Sequence, residues 1–210
     1  EGKYEGKWKD GEFNGQGTYT YVVALELSEF EKLLVEDSYD GKRQLKGEIQ
    51  RFSGWKYVGE FKDGKFHGQG TKTYLKNYSG YLNDVIRDGQ VLITFDGNEY
   101  EGGWKDGRYD GQGILTYDGR TYVGEFKKGL KNGKGTLTKY DEEFVGEFKD
   151  GDYLKGTLTF KNESKYVGKF KGDKYWNGTF YDKNGNKEGK LVNGYGQVKL
   201  YEKNKTFIGK

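Results

Sequence analysis

The sequence predicts an all-β protein, an elongated single layer of antiparallel β-hairpins in which each hairpin repeats the last. Three observations carry this expectation. Gly80, Gly102, Gly124, Gly146 and Gly168 fall at a constant spacing of 22 residues, each in a Tyr/Phe-x-Gly-x-aromatic context or a softened form of it, and a fixed period in this range marks a repeat architecture. Between the glycines, large and polar residues alternate with the period of two that sends successive side chains to opposite faces of a strand. The composition completes the argument. Hydrophobic residues make up 32% of the chain and aromatic ones 17%, so rings supply about half of the apolar content, and with 36 Gly and no Pro the turns must be made by glycine. That is too little aliphatic surface for two packed layers and enough for one sheet with an aromatic face.

The unit is clearest at Tyr100–Thr121, YEGGWKDGRYDGQGILTYDGRT. Tyr100, Gly102 and Trp104 share one face of a first strand. Asp106-Gly107 reverses the chain, the pair favoured where both central turn residues need positive φ. Gly113–Tyr117 alternates again as a second strand, and Asp118-Gly119 leads into the next repeat. The same pattern assigns the whole chain, 1–210, to one domain of about eight repeats. These are 4–21, a decayed repeat over 34–56 located by counting back from Gly70, then 57–77, a softer 78–99, 100–121, 122–143, 144–165, 166–186 and a partial 187–210. Residues 22–33 are expected to be an acidic insertion. Ser28-Glu29-Phe30-Glu31 has the form of a capping box, and Phe30, Leu33 and Leu34 stand at i, i+3 and i+4, so a short helix is expected over 29–37.

Tyr4–Thr18, YEGKWKDGEFNGQGT, resembles the MORN (membrane occupation and recognition nexus) repeat almost residue for residue, and looser forms cover most of the chain except 22–56 and the part after Trp176. Similar repeats are carried by junctophilins, phosphatidylinositol-phosphate kinases, ciliary spoke proteins, a histone methyltransferase and many bacterial proteins. The resemblance therefore implies a hairpin-repeat scaffold or recognition surface and no shared chemistry.

The residues themselves bound the function further. With no Cys there is no disulfide framework, redox thiol or thiolate metal site. No apolar run approaches the roughly 20 residues of a membrane-spanning helix, which favours a soluble, cytoplasmic chain. Carboxylates recur at the same place in every repeat, whereas a catalytic pair is set apart by its environment, so no enzyme, cofactor or metal is expected. His67, the single histidine, reads as a turn residue beside Gly68. Asp182, Asn184 and Asn186 imitate the start of a calcium loop, but Lys187 replaces the required Gly and Asn193 the bidentate Glu. Five of the cations are Arg, the residue suited to base edges, and nucleic acid is not expected.

What remains is binding. Tyr and Trp are enriched at interaction hot spots, and Tyr57, Phe61, Tyr100, Trp104, Tyr122, Phe126, Tyr166 and Phe170 either line a face that holds a protein partner or pack between repeats. Residues 161–210 hold 12 Lys and 5 acidic residues, a net +7 that leaves −4 for 1–160. In that basic end Lys161, Lys165, Lys169, Lys171, Lys174, Lys199, Lys203 and Lys205 form the alternative site, for an anionic membrane surface. Open strand edges also allow end-to-end or edge-mediated self-association.

A lone hairpin is marginal in water, so each repeat must lean on its neighbours. The glycines in the aromatic row (Gly6, Gly59, Gly102, Gly124, Gly146, Gly168) are expected to make room for a ring from the next strand to lie over the backbone. At about 4.8 Å between strands and two strands per repeat, nine repeats extend roughly 85 Å. Small-angle scattering should accordingly show a rod or twisted trough, and the profile of a compact globule of this mass would contradict the stacked-hairpin reading.

Overall fold

Glycines facing one another across neighbouring strands set the architecture seen in a computed structural model. It describes residues 2–25, 50–75, 78–80, 86–87, 90–91, 98–172, 174–196, 199–200 and 205–206, with side chains at 2–22, 53–75, 98–172 and 174–196. The chain is all-β, and no helix occurs among the described residues. The helix expected over 29–37 lies outside them, as do most of 34–56 and most of 78–99. Two compact units divide the chain, Glu1–Tyr100 and Glu101–Lys210.

In the first unit β1 (Gly2–Lys9), β2 (Glu12–Leu25), β3 (Gln50–Lys62) and β4 (Lys65–Tyr74) pair in that order. β5 (Tyr78–Gly80) lies against the start of β3, with Phe52 opposite Tyr78. β6 (Ile86–Arg87) pairs with β7 (Gln90–Val91), and β8 (Glu99–Lys105) follows. The strand at Tyr57 begins seven residues earlier than its repeat, at Gln50, and runs directly against β2 from Leu25–Arg51 to Gly15–Phe61.

The second unit is one run of neighbours in sequence order. After β8 come β9 (Arg108–Tyr117), β10 (Arg120–Lys127), β11 (Leu130–Lys139), β12 (Glu142–Lys149), β13 (Asp152–Thr159), β14 (Lys165–Lys171), β15 (Lys174–Tyr181) and β16 (Lys187–Leu191). β17 (Lys199–Leu200) and β18 (Lys205–Thr206) pair with each other. The expected turns are present. Asp106 and Gly107 have φ of 51° and 77°, and the same two-residue reversal recurs at Lys128-Gly129 (53° and 89°), where lysine takes the place of Asp.

The register explains the 22-residue beat. Gly113, Gly124, Gly135, Gly146, Gly156, Gly168 and Gly178 oppose one another in an unbroken ladder across β9–β15. Gly6, Gly17, Gly59 and Gly70 do the same across β1–β4. Rings lie on the pairs Gly6–Gly17, Gly59–Gly70, Gly124–Gly135, Gly146–Gly156 and Gly168–Gly178, and each ring belongs to the first glycine's own strand, two positions earlier, rather than to the strand that follows. In a strand, side chains lean along the chain direction, and that lean carries Tyr122 over Gly124 and over Gly135 opposite. A Cβ at Gly135 would stand 2.5–2.6 Å from three atoms of the Tyr122 ring. Tyr4, Tyr57 and Tyr166 cover Gly17, Gly70 and Gly178 in the same way, and Phe144 covers Gly156.

Lying flat brings the tyrosine hydroxyl to a backbone carbonyl three residues on. Tyr4 Oη donates to Lys7 O (2.9 Å), Tyr57 to Glu60 O (2.9 Å), Tyr122 to Glu125 O (3.0 Å) and Tyr166 to Lys169 O (2.9 Å). At that point each hairpin carries a bulge, between Gly124 and Phe126 for β10–β11 and between Gly59 and Glu60 for β3–β4. A bulge frees a backbone amide, and in these two hairpins a carboxylate takes it. Glu125 Oε1 accepts from Lys134 N (3.0 Å) and Glu60 Oε1 from Gln69 N (3.1 Å). Gly133 must be glycine on two counts, a φ of 67° and the Glu125 carboxylate 2.6 Å from where its Cβ would stand.

Neighbouring repeats are joined twice. Edge-to-face ring contacts run from Phe61 to Tyr4 (5.1 Å), Phe126 to Tyr109 (5.6 Å), Phe148 to Tyr122 (4.9 Å) and Phe170 to Phe144 (5.4 Å). At the turns, Gly64 N donates to Phe13 O (3.1 Å), Gly129 N to Tyr109 O (2.8 Å) and Gly151 N to Lys131 O (2.9 Å).

Filling the space under a ring should therefore cost stability only while the ring is there. We expect Gly135→Ala to destabilise by about 1–3 kcal/mol through overpacking, and Tyr122→Ala by about 3–5 kcal/mol. In denaturant melts the double variant should lose clearly less than the sum of the two, because removing the ring removes the clash. Strict additivity would show that Gly135 matters for another reason.

Candidate interaction surface

A single sheet has two faces, and the structure assigns them opposite chemistry. The face that carries the rings is the core. Tyr57, Phe61, Tyr100, Trp104, Tyr122, Phe126, Tyr166 and Phe170, the rings singled out for partner binding, are all buried. Between them sit Leu137, Phe144, Leu158 and Phe180, also buried, in the row Leu115–Tyr122–Leu137–Phe144–Leu158–Tyr166–Phe180 that crosses β9–β15. At roughly 1.5–3 kcal/mol for each large side chain removed from water, these rings are what holds one hairpin to the next.

Burial also changes their ionisation. Removal from water, and then the negative charge of Glu125, pushes the Tyr122 hydroxyl up to about 12 from its ordinary 10.0. Burial raises Tyr175 to about 12 as well, with Glu142 adding to it. Tyr57 is shifted in the same direction by burial and Glu60, and Tyr166 by burial.

The opposite face carries a feature that the aromatic pattern hides. Ile114, Val123, Thr136, Val145, Thr157, Val167 and Thr179 oppose one another in one row across β9–β15, seven β-branched residues without a break. The four aliphatic members are between 40% and 49% exposed. In the first unit Thr18, Val58 and Thr71 form the same row, with Val58 exposed. β-branched side chains suit a pleated surface, but nothing among the described residues covers these methyl groups. Charged residues flank the row on the second unit, including an ion pair between Lys155 and Glu147 (3.0 Å).

The lysines expected to meet a membrane do not act as one group. Lys161 is tied to Asp141 (2.9 Å), whose hydrogen bond and charge hold its ammonium above the usual value. Lys165, Lys169 and Lys171 stand at alternate positions of β14 and share the outer face with Val167. Lys174 lies opposite Lys171, whose ammonium sits 4.8 Å above the Trp176 ring. Among the described residues no carboxylate lies within ion-pair distance of Lys165, Lys169, Lys171 or Lys174. Lys203 and the side chains of Lys199 and Lys205 lie outside the described residues.

His67 falls at the β3–β4 bulge opposite Glu60, and its carbonyl accepts from Tyr57 Oη (3.3 Å). Asp182 organises a turn. Its Oδ1 accepts from Asn184 N (2.9 Å) and Asn186 N (2.7 Å), and its Oδ2 from Asn186 Nδ2 (2.8 Å), bonds that hold its carboxyl below the usual range. Among the described residues no three His, Cys, Asp or Glu are grouped to hold a metal.

The family profile for the MORN repeat matches residues 4–22, 57–75, 100–119 and 122–142, each covering a first strand and the strand that follows it. The chain carries MORN repeats at these four positions. As a class, MORN repeats build scaffolds for protein or membrane contacts and are generally not enzymatic. No curated protein matches the chain.

The raised tyrosine values give the MORN core a pH limit. Each hydroxyl keeps its proton more tightly folded than unfolded, so the stability it contributes is complete below about pH 10 and is lost as pH rises through about 12. Circular dichroism along an alkaline titration should show loss of sheet over that interval together with tyrosinate absorbance. The Tyr122→Phe variant should shift the loss to higher pH.

Proposed function

We propose that this MORN-repeat chain is a non-catalytic scaffold that holds another protein against the outer face of its sheet, along the row through Val123, Val145 and Val167. The observation that supports this most is the exposure of aliphatic side chains in one unbroken register on the face opposite the core. Exposed apolar groups arranged contiguously mark interaction sites more often than chance scatter does, and a rigid sheet offers them without an ordering cost on binding. The charged residues on either side would act as the polar rim of such an interface.

A second reading places an anionic phospholipid surface on the same face at β14 and β15. These two strands contain four lysines and no acidic residue, and lysines near an anionic bilayer contribute about 1 kcal/mol each at physiological salt.

The two readings separate in one pair of experiments. A Val123→Glu, Val145→Glu, Val167→Glu variant should keep the thermal melt of the parent chain, since exposed positions change stability little. It should also lose at least about tenfold in affinity for the protein captured from the native source by the parent. Equal capture by both chains would remove the outer-face reading. Sedimentation with phosphatidylserine vesicles, at low and at moderate salt, tests the second. Absence of binding at low salt removes it.

A further inference from the structure

We propose that Trp55, Phe66 and Tyr74 form an aromatic cage for a phosphocholine group, whose quaternary ammonium takes the place of the Lys72 ammonium between the rings and whose phosphate the released lysine meets. Two residues of one hairpin differ in kind from their equivalents. Opposite the flat ring of the other hairpins stand Tyr19, Leu137, Leu158 and Phe180, but opposite Tyr57 stands Lys72. Two positions before the ring stand Gly2, Asn98, Arg120, Glu142 and Ser164, but before Tyr57 stands Trp55. The two exceptions touch. Lys72 Nζ lies 4.2 Å from the centre of the Trp55 ring, 4.9 Å from that of Tyr74 and 5.6 Å from that of Phe66.

The register brings these rings together. Where β10–β11 sets Arg120 opposite Lys139, β3–β4 sets Trp55 opposite Tyr74, and Tyr21 lies opposite Trp55 on its other side. Opposed residues share a face, so all three stand with Tyr57 on the side that carries the rings. Trp55 is backed by Tyr19, stacked at 5.2 Å, and meets Phe66 at an interplanar angle of 84°. Flat walls therefore border the ammonium in more than one direction. Trp55, Phe66, Lys72 and Tyr74 are each half-buried, so the cage stays open to solvent.

Several ring faces around one cation are the means by which proteins recognise quaternary ammonium groups. Lys72 holds that place by a weak claim. Among the described residues no carboxylate lies within ion-pair distance of it, so the rings alone meet its charge. A primary ammonium is strongly hydrated and its long stem loses freedom when held, whereas a quaternary one donates no hydrogen bond to water and gives up less on entering. Displacement has one cost, two cations left side by side, and that cost selects the ligand. In phosphocholine a phosphate follows the ammonium after two methylenes, within reach of the freed lysine, which is a point-charge phosphate binder. The side chain of a trimethylated lysine carries no such anion.

The site lies on the face opposite Val58, so its failure and that of the outer-face reading are separate results. Proton NMR titrations of the full chain with phosphocholine, tetramethylammonium and trimethyllysine test it. The N-methyl signal of bound phosphocholine should move upfield under the ring currents, and phosphocholine should bind about tenfold tighter or more than the other two, the worth of one charge-assisted hydrogen bond. Lys72→Leu, matching Leu137 and Leu158, should keep the fold, bind tetramethylammonium at least as tightly as the parent chain and lose the preference for phosphocholine. Trp55→Leu should bind neither ligand, while Trp55→Phe, which keeps a ring, should retain binding. No phosphocholine binding by the parent chain overturns the proposal. So does trimethyllysine bound as tightly as phosphocholine, which makes the cage a reader of methylated lysine, or a preference that survives Lys72→Leu. Unchanged binding by Trp55→Leu also overturns it by placing the ligand elsewhere. Sedimentation with phosphatidylcholine vesicles identifies the source: vesicles brought down with the parent chain and not with Trp55→Leu place the group on a bilayer, and soluble phosphocholine bound without vesicles places it on a free molecule, either of which supports the assignment.

Discussion

A tyrosine ring laid flat over two opposed glycines is the contact on which this structure depends. A one-layer sheet has no second layer to bury its apolar face, so the core has to be made from side chains that lie down on their own sheet. A ring can do this only where both the strand beneath it and the strand opposite lack a Cβ, which is why glycine recurs at one register position in the hairpins β1–β2, β3–β4, β10–β11, β12–β13 and β14–β15. The hydroxyl then falls on the carbonyl three residues on, so a polar atom is brought into the core with a partner supplied. Phe144 shows that packing comes first: it occupies the same place without a hydroxyl and is fully buried. The bulge beside each ring follows from the same geometry. In two hairpins a glutamate accepts the backbone amide it releases, and that glutamate in turn leaves no room for a side chain at Gly68 or Gly133.

Much of this was legible in the sequence. The beat of glycines, the period of two and the Asp-Gly reversals led to antiparallel hairpins with turns of positive φ; the turns at Asp106-Gly107 and Asp118-Gly119 stand where those signals placed them, whereas the strands expected from Gly113 and Tyr57 begin earlier, at Arg108 and Gln50. The origin of the rings was harder to read, because spacing alone does not say whether a side chain leans along its own strand or across to the next. The valines were missed for a different reason. In Tyr-Val-Gly-Glu-Phe the residue between ring and glycine must face away from the core, so Val123, Val145 and Val167 could have been placed on the outer face from alternation alone. Attention went to the aromatic residues because they dominate interaction hot spots, yet large apolar area is equally what a core needs. Pattern tells which residues share a face and leaves open which face is covered.

The lysines carry a similar lesson. Composition marks the last fifty residues as basic, but the fold disperses that charge: Lys161 is held by Asp141, Lys171 rests on Trp176, and Lys165 and Lys169 join the valine row. A net charge read over a stretch of sequence becomes a surface only after strand alternation has sorted it, since half of the residues go to each side. The glutamates are sorted in the same way, into bulge caps at Glu60 and Glu125 and an ion pair at Glu147, which is why none of them stands apart chemically.

The direct pairing of β2 with β3 has an implication for how such chains grow. Residues 26–49 intervene between the two strands, and still Gly17 meets Gly59 in the register used by hairpins joined through two-residue turns. Adjacency in the sheet is thus decided by the matching of faces and not by the shortness of the link. Long segments can enter at a hairpin junction over evolutionary time, or be grafted there by design, while the surrounding register is preserved.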